Sequence, residues 1–291
     1  MSISSADPAP VREASGRVWL ITGASSGFGR AIAEAALAAG DTVVAAARRP
    51  SALDDLVAAH TGRAVAVRLD VTDIAAITDV VAEVVLWYGR IDVLVNNAGR
   101  GIIGAVEETT DRELRDVMEL HLFGPAALTR AVLPHMRRQG SGAVVQMSSM
   151  GGRLSFPGVS AYSAGKFALE GLSEALAAEV SQFGIRVLIV EPGAFRTGFA
   201  GGDALFRSAA LPAYDHVVGP FRDALPATDG KQPGDPAKAA AAILAALDAE
   251  EPPLRLPLGN DAADAIAKHL DDGRAEFQAW ELVSRGTDID G

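Results

Sequence analysis

Short apolar runs alternate with longer amphipathic stretches along most of the chain. Residues 17–21 (RVWLI) are apolar and stop at Thr22-Gly23; an Ala-rich stretch over 29–39 then ends at Gly40. The first is the length of a buried strand. The second has helix composition and a glycine stop. The same alternation predicts strands over 42–47 (TVVAAA), 64–69, 91–95 (IDVLV), 143–147, 185–190 and 254–258. Helices are predicted over 51–60 with Ser51 as cap, 73–87, about 111–138 with a bend near Pro125, 161–183 and 236–249. Continuous apolar strands joined by helices predict a parallel sheet covered on both faces, with right-handed crossovers. The expected fold is therefore α/β, a doubly wound parallel sheet in a single domain over 17–258. An N-terminal arm (1–16) precedes it and a charged helical extension (259–291) follows. Residues 195–234 break the rhythm with Gly, Pro and aromatics. An insertion of this length in a compact domain is functional or mobile, and it is expected to act as a lid.

Composition narrows the function. With 291 residues and 49% hydrophobic content, the chain can bury a full core. Its net charge of -11 repels phosphate backbones and anionic surfaces, so neither nucleic acid nor membrane is an expected partner. The absence of cysteine excludes disulfides, thiol catalysis and zinc-thiolate sites, and no metal is expected. The first residues lack the apolar core of a signal peptide, and no run reaches the ~20 apolar residues of a membrane span. A cytoplasmic protein is the expectation.

The turn between the first strand and helix reads Gly23-Ala24-Ser25-Ser26-Gly27-Phe28-Gly29. Glycines there let backbone approach a pyrophosphate seated on a helix N-terminus, as in Rossmann-type sheets. The second strand ends at Ala47-Arg48-Arg49. An acid there would bind a ribose 2′-hydroxyl, whereas a guanidinium suits a 2′-phosphate. Arg48, supported by Arg49, therefore predicts NADP(H) in preference to NAD(H). Asp70 ends the third strand, and Asn97-Ala98-Gly99 follows the fourth.

Tyr162 and Lys166 stand at i and i+4, on one face of a predicted helix. A phenol titrates near ~10 and is neutral at pH 7. An ammonium nearby favours its phenolate, so such a tyrosine can give or take a proton during carbonyl–alcohol interconversion. Ser148-Ser149 ends the fifth strand, thirteen residues before Tyr162 as counted from Ser149. Parallel strands bring these ends to one crevice.

Taken together with Glu191-Pro192-Gly193 and Thr197, the pattern over residues 17–200 resembles the short-chain dehydrogenase/reductase family, in its single-domain branch. The resemblance implies that Ser149 bonds the substrate oxygen and that Tyr162 is the general acid/base. It implies that Lys166 binds the nicotinamide ribose and lowers the tyrosine pKa. It gives Asp70 and the Val71 amide to the adenine, although Asp70 also suits a turn or cap. It gives Asn97 a bracing role, places Ala98 and Gly99 against the ribose, and sets Pro192, Gly193 and Thr197 at the nicotinamide. One position departs: His121 stands where the family has Asn, a residue tied to a helix kink and a water path from the lysine. His121 reads either as a member of the proton relay or as a packed structural side chain.

In this family the segment after the sixth strand covers the substrate. Here it carries Phe195, Phe199, Leu205, Phe206, Leu211, Tyr214 and Phe221, with Phe156 and Val159 nearby. That predicts a small lipophilic ketone or secondary alcohol. Arg196 and Arg207 are the candidates in that segment for an anionic substrate group. A homodimer or homotetramer through the 111–138 and 160–183 helices is expected from the resemblance. Two other readings stand: a non-catalytic NADP sensor or scaffold, and an epimerase or dehydratase.

Overall fold

The structure is a computed structural model that describes residues 13, 14, 16–201 and 204–289. Most of the expected N-terminal arm lies outside the described residues.

Nine strands and nine α-helices follow in order among the described residues. They begin β1 (Val18–Thr22), α1 (Gly27–Ala38), β2 (Thr42–Ala47), α2 (Asp54–Ala59), β3 (Ala64–Arg68) and α3 (Ile74–Tyr88). Next come β4 (Val93–Asn96), β5 (Gly101–Ile103), α4 (Asp111–Met118), α5 (Gly124–Gln139), β6 (Gly142–Met147) and α6 (Ser160–Val180). The chain closes with β7 (Ile185–Pro192), β8 (Leu205–Arg207), α7 (Gly219–Ala227), α8 (Pro236–Asp248), β9 (Arg255–Leu258) and α9 (Asn260–Arg285).

Seven strands form one sheet in the order β3-β2-β1-β4-β6-β7-β9, every neighbouring pair parallel. The order grows outward from β1 on one side and from β4 on the other. The switch point therefore falls between these two strands, where Trp19, Leu20 and Ile21 pair with Val93, Leu94 and Val95. A crevice opens at the C-terminal ends of strands at such a point. Both faces of the sheet are covered, which is why β1 and β2 are buried throughout. One core packs Ile32, Ala36 and Leu37 of α1 against Ala240 and Ile243 of α8. The other packs Ile77 and Val84 of α3, Leu128 and Val132 of α5, and Leu176 and Val180 of α6. The many alanines on these faces let the helices lie close to the sheet.

Three local features differ from the sequence reading. Ser51 caps no helix: Pro50 starts a 3-10 turn over Pro50–Leu53, with Arg49 before it, and α2 begins only at Asp54. Proline, with its fixed φ, takes the first helical position instead. The long helix expected over 111–138 is broken by a π turn, Glu119–Phe123, in which the Gly124 amide bonds the Glu119 carbonyl. Pro125 has no N–H to close a regular turn on residue 121, so the helix widens just before it. Finally, β5 and β8 pair as a separate two-stranded parallel sheet, and α7 follows inside the irregular segment. No helix among the described residues is long and apolar enough to cross a membrane.

Candidate active site

The crevice beyond β1 and β4 is a cavity of about 1090 Å³. Gly23 (φ 64°) and Gly27 (φ 55°) adopt left-handed backbone, and a Cβ on Gly23 would lie 2.9 Å from the Ala98 Cα. Only glycine lets these chains pass so closely. Ser26, in the N-cap position of α1, makes no side-chain bond to the first turn, and no acid sits in that turn. The positive end of α1 therefore faces the cavity without a protein anion. Ser25, Ser26, Gly27 and Phe28 all line the wall. Gly29 does not. A Cβ there would collide with the Gly23 carbonyl, so Gly29 serves close packing of helix on turn.

Asn97 ties the switch point together. Its Nδ2 donates to the Thr22 carbonyl (2.8 Å), and the Thr22 hydroxyl accepts from the amides of Asn97 (2.9 Å) and Ala98 (3.1 Å). Ala98 and Gly99 then form the wall beside it. Arg48, Arg49, Asp70 and Val71 line the far end of the cavity. The Asp70 carboxylate accepts from the Thr72 amide (3.0 Å) and hydroxyl (2.8 Å), the arrangement of a turn aspartate. Burial opposes its charge, but the Thr72 bonds and the nearby Arg48 outweigh that and hold its carboxyl below the usual range.

At the other end, Ser149 leads a 3-10 turn, Met150–Gly152, and its hydroxyl accepts from the Gly151 amide (3.0 Å). Tyr162 and Lys166 project from α6 into the same cavity. The Lys166 ammonium donates to the Met147 carbonyl at the end of β6 (2.8 Å) and lies 5.8 Å from the Tyr162 ring centroid. Burial pushes the phenol up to about 12, opposed by the adjacent Ser149 hydroxyl. Burial likewise pushes Lys166 down to about 8, opposed by the negative charge of Glu170. The tyrosine thus holds its proton firmly while the lysine binds its own less tightly. His121, in the π turn, is fully enclosed. Burial and then the positive charges of Lys166 and Arg100 hold it well below its ordinary value, despite the opposing bond from the Arg100 amide. Its Nε2 accepts that amide proton (3.3 Å), and its Nδ1 has no partner. Pro192, Gly193 and Thr197 complete the wall after β7.

Residues 17–204 match the short chain dehydrogenase family. The chain belongs to that family. A solved short-chain dehydrogenase from Streptomyces avermitilis is 65% identical, superposes with a TM-score of 0.90, and covers 94% of this chain and 100% of its own. The oxidoreductase BOA17 of Botryotinia fuckeliana is 40% identical over 92% of this chain and 98% of its own length. A metagenomic short-chain oxidoreductase solved with NADP is 35% identical over 62% of this chain and 83% of its own (TM-score 0.59). A short-chain dehydrogenase/reductase from Burkholderia phymatum solved with NAD is 26% identical over 95% of this chain and 98% of its own (TM-score 0.77). This short-chain dehydrogenase is accordingly an oxidoreductase.

Over its cavity the dehydrogenase folds the irregular segment as an anchored cover. Phe199 meets the Tyr162 ring (centroids 5.7 Å apart), and Phe221 meets Phe156 (6.0 Å). Phe156, Val159, Phe195, Phe199, Leu205 and Phe221 line the cavity as expected. Phe206, Leu211 and Tyr214 do not: the first two are partly exposed, and the Tyr214 hydroxyl donates to Glu107 (2.7 Å). The segment is tied down by Glu108, a buried carboxylate that accepts from the amides of Ala105 (2.7 Å) and Leu211 (2.8 Å) and from Arg222 (2.8 Å). Neither Arg196 nor Arg207 lines the cavity, and the Arg196 Nε donates to the Gln232 carbonyl (2.6 Å). The sequence reading missed Arg100 and Asp261, both on the wall. Asp261, from the first turn of α9, accepts from the Ala194 amide (2.7 Å), so the C-terminal extension contributes to the site. A charged residue directly after Asn97-Ala98-Gly99 was the one available signal for Arg100.

Proposed function

We propose that this dehydrogenase uses NADP(H) to interconvert a ketone or aldehyde and the corresponding alcohol, with Tyr162 as general acid/base. The observation that carries the reading is that Ser149, Tyr162 and Lys166 share one cavity wall with the glycine turn of α1. The residues fit a nicotinamide dinucleotide. The first turn of α1 carries no acid and no side-chain cap, and backbone at Gly23 and Ala98 lies too close together for any side chain between. Asn97, Ala98, Gly99, Pro192, Gly193 and Thr197 would hold the ribose and nicotinamide, and Asp70 and Val71 the adenine. Arg48, with Arg49, would hold a 2′-phosphate, because no acid stands at the end of β2 to favour the bare hydroxyl.

When bound against these residues, a nicotinamide would supply or accept the hydride. In reduction, Ser149 donates a hydrogen bond to the carbonyl oxygen and orients it. The neutral phenol of Tyr162 donates the proton. Lys166 stands one helical turn away, where its ammonium charge would stabilise the phenolate left behind. The Arg100 amide holds the His121 Nε2, so a relay beyond Lys166 would have to use the buried, unpartnered Nδ1. The apolar walls favour a lipophilic substrate. Exposed Leu114, Phe123, Phe167 and Leu172 on α4, the π turn and α6 support assembly into a dimer or tetramer through these helices.

A panel of ketones and alcohols, followed by nicotinamide absorbance with both cofactors, tests reaction and cofactor together. Turnover with NADPH well above that with NADH supports the reading. Binding of NADPH without turnover of any carbonyl or alcohol favours a sensor instead.

A further inference from the structure

Arg100 stands on the cavity wall and forms no ion pair among the described residues. Its amide is pinned by the His121 Nε2 (3.3 Å), and its guanidinium carbon lies 5.8 Å from the centroid of the Phe206 ring on β8. Its Nε is buried and has no hydrogen-bond partner, and no described carboxylate forms an ion pair with it. Of the three arginines on the wall, Arg48 and Arg49 stand at the end of β2, and Arg100 alone of the three has a buried guanidinium nitrogen without a partner. The chain has 37 acidic and 26 basic side chains, so acids to pair with are not scarce. A guanidinium partly stripped of water and left unpaired is costly, and an aromatic face offsets only part of that cost.

We infer that Arg100 seats an anionic end of the substrate, a carboxylate, at the cover side of the cavity. The planar fork of arginine matches the two oxygens of a carboxylate. Asp116 and Glu119 also line the cavity as exposed acids, Asp116 facing Arg112 (3.9 Å), and neither forms an ion pair with Arg100. One imidazole separates the Arg100 backbone from Tyr162, since His121 bonds the first and lies 5.4 Å, centroid to centroid, from the ring of the second. On this inference one molecule places its carbonyl at Ser149 and Tyr162 and its carboxylate on Arg100. Its apolar body would lie against Phe156, Phe199 and Phe221. The substrate class is thus an amphiphilic oxo acid or hydroxy acid rather than a wholly neutral lipid. This rests on the oxidoreductase reading of the same cavity.

The test titrates decanoate and decanol into NADPH-loaded enzyme by calorimetry, in the wild type, Arg100→Leu and Arg100→Lys. Decanoate is expected to bind the wild type about tenfold tighter than decanol, as a charge-assisted pair allows. Arg100→Leu is expected to erase that ratio without lowering the melting temperature, and Arg100→Lys to keep part of it. A wild type that does not favour the acid overturns the inference, as does a preference that survives Arg100→Leu. So does an Arg100→Leu enzyme whose loss is confined to NADPH affinity, which would assign the guanidinium to a cofactor phosphate. NADPH affinity of the wild type is measured first: its absence sinks the cofactor reading itself, an outcome separate from lost acid preference.

Discussion

His121 presents its ring edge-on to Tyr162, with centroids 5.4 Å apart and planes at 87°. The imidazole is enclosed, neutral, and bonded on one side only. A packed ring and a relay ring differ in what their replacement does. With His121 in the relay, His121→Ala is expected to lower kcat by at least tenfold, a modest share of a general acid/base effect, and to move the pH profile of kcat. Unchanged rate and profile would leave His121 a packing residue. Its depressed pKa also carries a stability signature. The neutral ring contributes stability above about pH 6.5, the free value, and that contribution is lost as pH falls toward the folded value. His135 is shifted the same way, by burial and Arg138, so the signal is a difference between enzymes. His121→Asn is expected to show a shallower loss of melting temperature between pH 6.5 and 5 than the wild type; parallel curves would count against it.

Arg48 decides the cofactor in this account. Arg48→Ala is expected to raise KM for NADPH about tenfold or more while changing that for NADH by less than about twofold, as loss of one charge-assisted contact predicts. Equal effects on the two cofactors, measured by steady-state kinetics, would place Arg48 away from the 2′-phosphate.

Glu108 holds the cover on the body. Burial opposes its charge, but bonds from Leu211, Ala105 and Arg222 outweigh that and keep its carboxyl below the usual range. Removing the carboxylate leaves Arg222 and two amides without their acceptor. Glu108→Ala is expected to cost about 3 kcal/mol in urea unfolding, near the lower end for one half of a buried ion pair. It is also expected to raise substrate KM more than it lowers kcat. A loss below about 1 kcal/mol, the value of an ordinary exposed pair, would contradict the anchoring role.

The parallel sheet, the glycine turn and the Ser149, Tyr162 and Lys166 set were legible because each rests on local pattern. β1 and β2 are unbroken apolar runs, and a four-residue spacing on a helix fixes a shared face. What escaped depends on tertiary partners. β5 and β8 are three residues each, too short to show a period, and exist because Ile102 and Phe206 pair across distant sequence. Gly29 has the spacing of a phosphate contact but serves packing, which only the Gly23 carbonyl above it reveals. A bend near Pro125 was legible from the proline, but not that the missing N–H acts one turn earlier and widens the helix around His121. Arg100 is notable for the acid it lacks, and a sequence does not display a missing neighbour. Asp261 reaches Ala194 across 67 residues, beyond any motif.

The most direct test of the central claim is single-turnover and steady-state kinetics of Tyr162→Phe, paired with NADPH binding by fluorescence. Phe keeps the ring that packs on His121 and Phe199 and removes only the hydroxyl. The account predicts kcat lower by about 10²–10⁴-fold, the usual weight of general acid/base catalysis, with NADPH affinity within about twofold of the wild type. A Tyr162→Phe enzyme that turns over at the wild-type rate would contradict it.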